Sequence, residues 1–169
     1  GVRVIAEPVG RNTAAAIGAA ARLFLRGGGD PAFAVFPADH AIDDHAALAA
    51  DPDRAFTLAE REAVLVTFGI RPTAPDTNFG YIHRGARIGE RLCRIARFAE
   101  KPDLARATEW VAGGEALWNS GIFVWRCSTF ANALAVTRPE LARSVAGLAA
   151  GADDTEFERG LDRVFPGIE

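Results

Sequence analysis

The sequence predicts a layered α/β fold, and three observations carry that expectation. Ala32-Phe33-Ala34-Val35-Phe36 is an apolar run with no polar break, as a central parallel-sheet strand covered on both faces requires. Pro37 follows at once and removes a backbone donor, so the ladder should end there. Strand-like and helix-like segments then alternate along the chain, which indicates one layered unit over residues 1–169.

Taken in order, Val2 to Ala6 alternates as a short strand closed by Glu7-Pro8. Gly10-Arg11-Asn12-Thr13 leads into a helix to Leu25, with Ile17, Ala20 and Phe24 as its apolar stripe. Asn12 or Thr13 is the expected N-cap, and Gly27-Gly28-Gly29 the stop. That triple glycine follows a helix rather than preceding one, so it terminates structure rather than cradling phosphate. Asp43-Asp44 is read as the cap of a short helix. Asp51-Pro52 is read as its break and as the start of another helix to about Glu62. Val64 to Ile70 has the β-branched content of a second buried strand, and Arg71 to Asn78 is a proline-bearing loop. Phe79 to Ile82 re-enters extended structure, and Leu92 to Phe98 is a further strand leading into Glu100-Lys101-Pro102. Asp103 should cap a helix to about Ala112, stopped by Gly113-Gly114. Trp118 to Trp125 is aromatic and extended, and helices with Ser128 and Pro139 as start signals complete the chain.

Composition narrows the function classes. Hydrophobic residues make up 49% and charged residues 24% of 169, ordinary for a globular domain with a real core. A net charge of −3 gives no support for binding nucleic acid or an acidic membrane. Cys93 and Cys127 have no metal-ligand spacing and are too few for a disulfide framework, which suits a reduced, cytoplasmic domain. No apolar run approaches a membrane span, and the first residues are no signal peptide. The chain lacks methionine even at its start, which points to a beginning inside a longer protein. It uses lysine once, at Lys101, against eighteen arginines.

Polar residues interrupt this apolar plan at a few places. Asp39 emerges just past the carboxyl end of a strand, where open α/β sheets bind ligands. A carboxylate there can hold a hard cation such as Mg²⁺ against a phosphate, or simply cap a turn. Arg11, Asn12 and Thr13 sit at a helix N-terminus, whose free N–H groups attract anions and base acceptors, although capping alone needs one side chain. Glu100 can accept sugar hydroxyls while Lys101 meets a phosphate as a point charge. A salt-bridged surface turn is the plainer alternative. Asn119 is an amide in an apolar strand, satisfied either by a hydroxyl-rich ligand or by a neighbouring loop. Gly80 lets a ligand approach the backbone or serves a turn. His40, His45 and His83 show no ligand spacing and read as structural or exposed. Together these residues suit a sugar phosphate and a nucleotide better than a peptide or nucleic acid.

Six stretches, in order, resemble mannose-1-phosphate guanylyltransferases: Glu7-Pro8-Val9-Gly10-Arg11-Asn12-Thr13-Ala14, Phe36-Pro37-Ala38-Asp39-His40, Leu65-Val66-Thr67-Phe68-Gly69-Ile70, Pro75-Asp76-Thr77-Asn78-Phe79-Gly80-Tyr81-Ile82, Phe98-Ala99-Glu100-Lys101-Pro102-Asp103 and Leu117-Trp118-Asn119-Ser120-Gly121-Ile122-Phe123. The resemblance implies a Rossmann-like nucleotidyltransferase fold, a mixed sheet with helices on both faces. It implies GTP and mannose 1-phosphate as substrates and GDP-mannose with pyrophosphate as products, with Mg²⁺ as cofactor. It also implies guanine at Arg11, Asn12 and Thr13, metal at Asp39, mannose at Gly80, Glu100 and Asn119, and the sugar phosphate near Lys101. Ala15 stands where the family usually has proline, and Asp76 and Asn78 replace its usual Glu and Gly; Asn tolerates a left-handed backbone. By the same resemblance the chain is an internal piece, incomplete at both ends, without the family's glycine-rich triphosphate loop and its second metal-binding aspartate. The expected function is therefore guanylyl transfer by a partial catalytic domain, as a monomer or a homo-oligomer. The alternatives are a non-catalytic sugar-nucleotide-binding or subunit-association module, and the same chemistry on another base or sugar.

Overall fold

The computed structural model describes residues 2–42, 45–148 and 153–168, and side chains of 45–50 are not among those described. Its elements are α1 (Asn12–Leu25), β1 (Ala32–Val35), α2 (His45–Arg61), β2 (Val66–Ile70), β3 (Tyr81–Gly89), β4 (Leu92–Ala99), α3 (Leu104–Gly113), β5 (Ala116–Arg126), α4 (Cys127–Thr137), α5 (Pro139–Ala146) and α6 (Asp154–Val164), then a 3-10 turn, Phe165–Gly167. The strands form one sheet in the order β1-β5-β3-β4, and β2 also pairs with β5. The mixed α/β expectation therefore holds.

Cα packing divides the chain into two compact units. The first comprises Gly1–Val35, His40–Val66 and Val124–Glu169; the second comprises Phe36–Asp39 and Thr67–Phe123. In the first, α1 buries Ile17 and four small residues, Ala15, Gly18, Ala19 and Ala21. A Cβ on Gly18 would come within 3.0 Å of Val145 on α5, so the glycine permits that close helix approach. Trp125 meets Phe33 edge-on and stacks on Phe130, while Phe157, Leu161, Phe165 and Leu148 are fully enclosed. In the second unit, Tyr81, Ala107 and Ala116 form the core, with Trp110, Val111 and Trp118 packed on it.

Two elements follow their sequence signals closely. The Asp103 carboxylate caps α3 by accepting the Arg106 N–H at 2.9 Å, and Gly114 ends it with φ 72°, a left-handed turn natural to glycine. The Gly27 and Gly28 N–H groups likewise close α1 onto the Phe24 and Leu25 carbonyls.

Several expectations are corrected. Val2 to Ala6 is no strand: no described strand pairs with it, and Val2 and Val4 lie in solvent. The N-cap of α1 is Arg11, not Asn12 or Thr13, and no side chain caps it. Of the Ile17-Ala20-Phe24 stripe Ile17 is buried, Ala20 is partly buried and Phe24 is half-exposed on Phe33; the close approach of α5 at Gly18 shifts the buried face toward Ala15, Gly18, Ala19 and Ala21. β1 stops at Val35 and stands at the end of the strand order with only Phe33 buried; β5 is the strand with several partners. β2 begins at Val66 and leaves Gly69 and Ile70 exposed. Pro52 does not divide α2, which runs from His45 to Arg61; beyond the proline Ala55 and Ala59 are buried one turn apart and anchor that part of the helix. The expected cap at Asp43-Asp44 lies outside the described residues. Ser128 is the second residue of α4, its N–H and hydroxyl both given to the Asp30 carboxylate.

Candidate functional site

Strand register in the second unit assembles the centre of the site. Tyr81 lies opposite both Ala99 on β4 and Trp118 on β5. One step along each strand, Gly80, Glu100 and Asn119 must therefore converge. They do so: the Asn119 N–H donates to the Gly80 carbonyl at 2.8 Å, and a Cβ on Gly80 would sit 2.8 Å from Glu100 Oε2. Gly80 is buried while Glu100 is exposed, so the carboxylate lies across a bare patch of backbone and faces solvent. The Phe98 ring closes one side, 3.0 Å from the same Cβ position, and Phe79 packs on Trp118 with centroids 4.9 Å apart.

The loop entering Gly80 is tied down by its own residues. The Asp76 carboxylate accepts from the Asn78 N–H at 2.8 Å and from its side-chain amide at 3.0 Å. The Tyr81 hydroxyl accepts the Asp76 N–H and donates to the Asp76 carbonyl. Asn78 is not among the residues with positive φ, so its tolerance of a left-handed backbone is not used; its side chain folds onto Asp76 instead. Lys101 has φ 43°, an uncommon conformation for a non-glycine residue, and is exposed beside buried Pro102.

Asp39 also belongs to the second unit and lies in an exposed turn four residues past the end of β1. The preceding Pro37 reaches 3.1 Å from the Cβ position of Gly121 on β5, whose φ of 71° suits glycine. The Asp39 carboxylate makes no hydrogen bond or ion pair among the described residues, and no cluster of three metal-type ligands occurs among them. An exposed carboxylate is a hard oxygen donor of the kind Mg²⁺ takes, one or two at a time, beside its waters and substrate phosphates.

Arg11, Asn12 and Thr13 belong to the first unit. Arg11 reaches the 3-10 turn, donating from Nε to the Phe165 carbonyl at 3.2 Å and from Nη2 to the Pro166 carbonyl at 2.8 Å; its own N–H goes to Glu7. Asn12 and Thr13 are exposed, and Asn12 has φ 43°. With no side chain capping α1, the first-turn N–H groups lack that internal partner.

Sequence reasoning missed Thr67. Its hydroxyl lies 2.9 Å from Asn119 Oδ1 and 3.0 Å from the Ile122 carbonyl, all within the second unit. The available signal was a lone hydroxyl in an otherwise apolar strand. His83 is structural: it sets its edge against Trp110, and Nε2 is buried with no partner among the described residues. Burial, and then the Arg97 charge, push its pKa below the usual value. Burial likewise pushes the Cys127 thiol up to about 11, and the Asp30 charge adds to it.

The second unit thus brings Glu100 and Asn119 together beside Gly80 at one sheet end, with Lys101 next in the chain. The family described as nucleotidyl transferase matches residues 1–157, and the chain belongs to it. It is 45% identical over 161 residues to the xanthan biosynthesis protein XanB of Xanthomonas campestris pv. campestris (strain B100), covering 95% of this chain and 34% of that protein. It is 42% identical over 157 residues to a mannose-1-phosphate guanylyltransferase of Escherichia coli, covering 89% and 32%. A solved structure described as mannose-1-phosphate geranyltransferase from Thermus thermophilus superposes with TM-score 0.83 at 33% identity, over 96% of this chain and 47% of that one. The chain thus spans about a third of the length of the curated relatives it matches. No helix among the described residues is long and apolar enough to cross a membrane.

Proposed function

We propose that this chain contributes the sugar-phosphate part of a guanylyltransferase site, joining GTP and mannose 1-phosphate into GDP-mannose with release of pyrophosphate. The convergence of Gly80, Glu100 and Asn119 at one sheet end is the observation that carries the reading. The similarity to guanylyltransferases supports it. In the reaction a phosphate oxygen of mannose 1-phosphate attacks the α-phosphorus of GTP in line, and the bond to pyrophosphate breaks. No protein nucleophile is needed, so the chain acts by positioning and by charge. Glu100 accepts hydrogen bonds from sugar hydroxyls across the bare Gly80 backbone, and Asn119 supplies amide contacts beside it. Lys101 offers a positive charge to the sugar phosphate, and Arg11-Asn12-Thr13 takes the guanine. Asp39 would hold Mg²⁺, which when bound offsets negative charge on the phosphates. Two free thiols suit a reducing compartment, hence the cytoplasm.

Calorimetric titration of GDP-mannose with Mg²⁺, against UDP-glucose as control, tests the reading. Saturable heat with GDP-mannose alone is expected. A folded chain that gives no heat with GDP-mannose overturns it and favours the non-catalytic association module.

A further inference from the structure

The geometry points to Thr67 as a positioning residue that sets which end of the Asn119 amide meets the sugar, an inference that rests on the sugar-phosphate reading above. The Thr67 hydroxyl carries one proton and faces two acceptors, Asn119 Oδ1 at 2.9 Å and the Ile122 carbonyl at 3.0 Å. Both are drawn to a single donor that the β2 backbone holds in place, and χ1 of a β-branched side chain is stiff. The Asn119 main chain is held by its N–H on the Gly80 carbonyl, and the side-chain amide is held at its oxygen end by Thr67. Its NH₂ group makes no hydrogen bond among the described residues, so Asn119 presents donors. Glu100, on the other side of Gly80, presents only acceptors. A donor beside an acceptor recognises two neighbouring hydroxyls, one through its lone pair and one through its proton. Loss of the Thr67 hydroxyl frees the amide to turn, and then two acceptors face the sugar from Asn119 and Glu100.

The test compares Thr67→Val, close in shape but without the hydroxyl, with Thr67→Ser, which retains it. Each is titrated with GDP-mannose and with GDP, and the crystal structures of both variants and the parent are determined without ligand. In Thr67→Val the Kd for GDP-mannose should rise about tenfold, as expected for one lost hydrogen-bond arrangement. The Kd for GDP should stay unchanged, and Thr67→Ser should restore GDP-mannose binding to within about threefold of the parent. The Asn119 side chain should turn in the valine crystal and return in the serine one. A purely structural role would move both nucleotides equally, which overturns the proposal. So does an Asn119 that keeps its place in Thr67→Val, whatever the ligand data. A parent chain that binds no GDP-mannose while Asn119 still turns in Thr67→Val overturns the sugar reading alone, and the structural coupling of the two residues stands.

Discussion

A single methyl group at position 80 would collide with the site at its centre. Its nearest neighbours would be Glu100 Oε2 at 2.8 Å and the Phe98 ring at 3.0 Å, and the carboxylate is the one free to swing away. Gly80 has no positive φ, so Gly80→Ala strains no backbone and acts through displacement of Glu100. We expect GDP-mannose affinity to fall about tenfold, the size of one lost charge-assisted hydrogen bond, with GDP affinity unchanged by calorimetry. A second expectation concerns Cys127. It is enclosed at the start of α4, and burial with the Asp30 charge raises its thiol pKa to about 11, whereas Cys93 is partly exposed. At pH 8 a chromogenic disulfide reagent should titrate Cys93 in the native chain and both thiols only after denaturation. Rapid native reaction at both would show that Cys127 is not enclosed. At this scale sequence reading named Gly80, Glu100 and Asn119 from their residue types. It overlooked Thr67, because a hydroxyl in an apolar strand announces no partner until pairing brings Asn119 beside it.

Helices and strands were legible where their signals are local. Asp103 and Gly114 bound α3 because a carboxylate cap and a left-handed glycine act within one turn. They were less legible where a distant group decides. The start of α4 is capped by Asp30, whose carboxylate accepts both the N–H and the hydroxyl of Ser128 across a separation of 98 residues. Arg126, the residue before α4, donates to the Ala59 and Glu60 carbonyls in the last turn of α2 and to the Asp30 carbonyl. The part of α2 beyond Pro52 is likewise held from afar: Ala55 and Ala59 are buried, and Arg126, far along the chain, ties down its last turn. Asp30→Ala removes the remote cap, and urea unfolding should show a loss of about 1–2 kcal/mol. Asp30→Asn, which keeps an acceptor, should lose less. Equal losses would mean that the Ser128 contacts do not stabilise α4.

Across the whole molecule, alternation of apolar runs revealed the α/β class but not the strand order. β5 pairs with β1, β2 and β3, and nothing in its eleven aromatic-rich residues distinguishes several partners from one. Titration is another property of the folded whole, because it depends on groups that only folding brings together. Burial of His83, then the Arg97 charge, holds its pKa below the ordinary 6.5. The unfolded chain therefore takes up that proton first. Stability linked to His83 is fully present above about pH 6.5 and is lost as pH falls through the lowered folded value. Asp30, held below 3.8 first by the Ser128 hydroxyl, and Asp154, held below 3.8 by Arg3 and Arg26, act in a lower window. Their contributions are present above 3.8 and vanish as pH falls beneath it. The thermal midpoint should thus decline in two steps, one beginning near pH 6.5 and one near pH 4. His83→Gln, neutral throughout, should flatten the first step and leave the second. Scanning calorimetry on both chains across this range decides it: an unchanged first step in His83→Gln would assign that loss to another group.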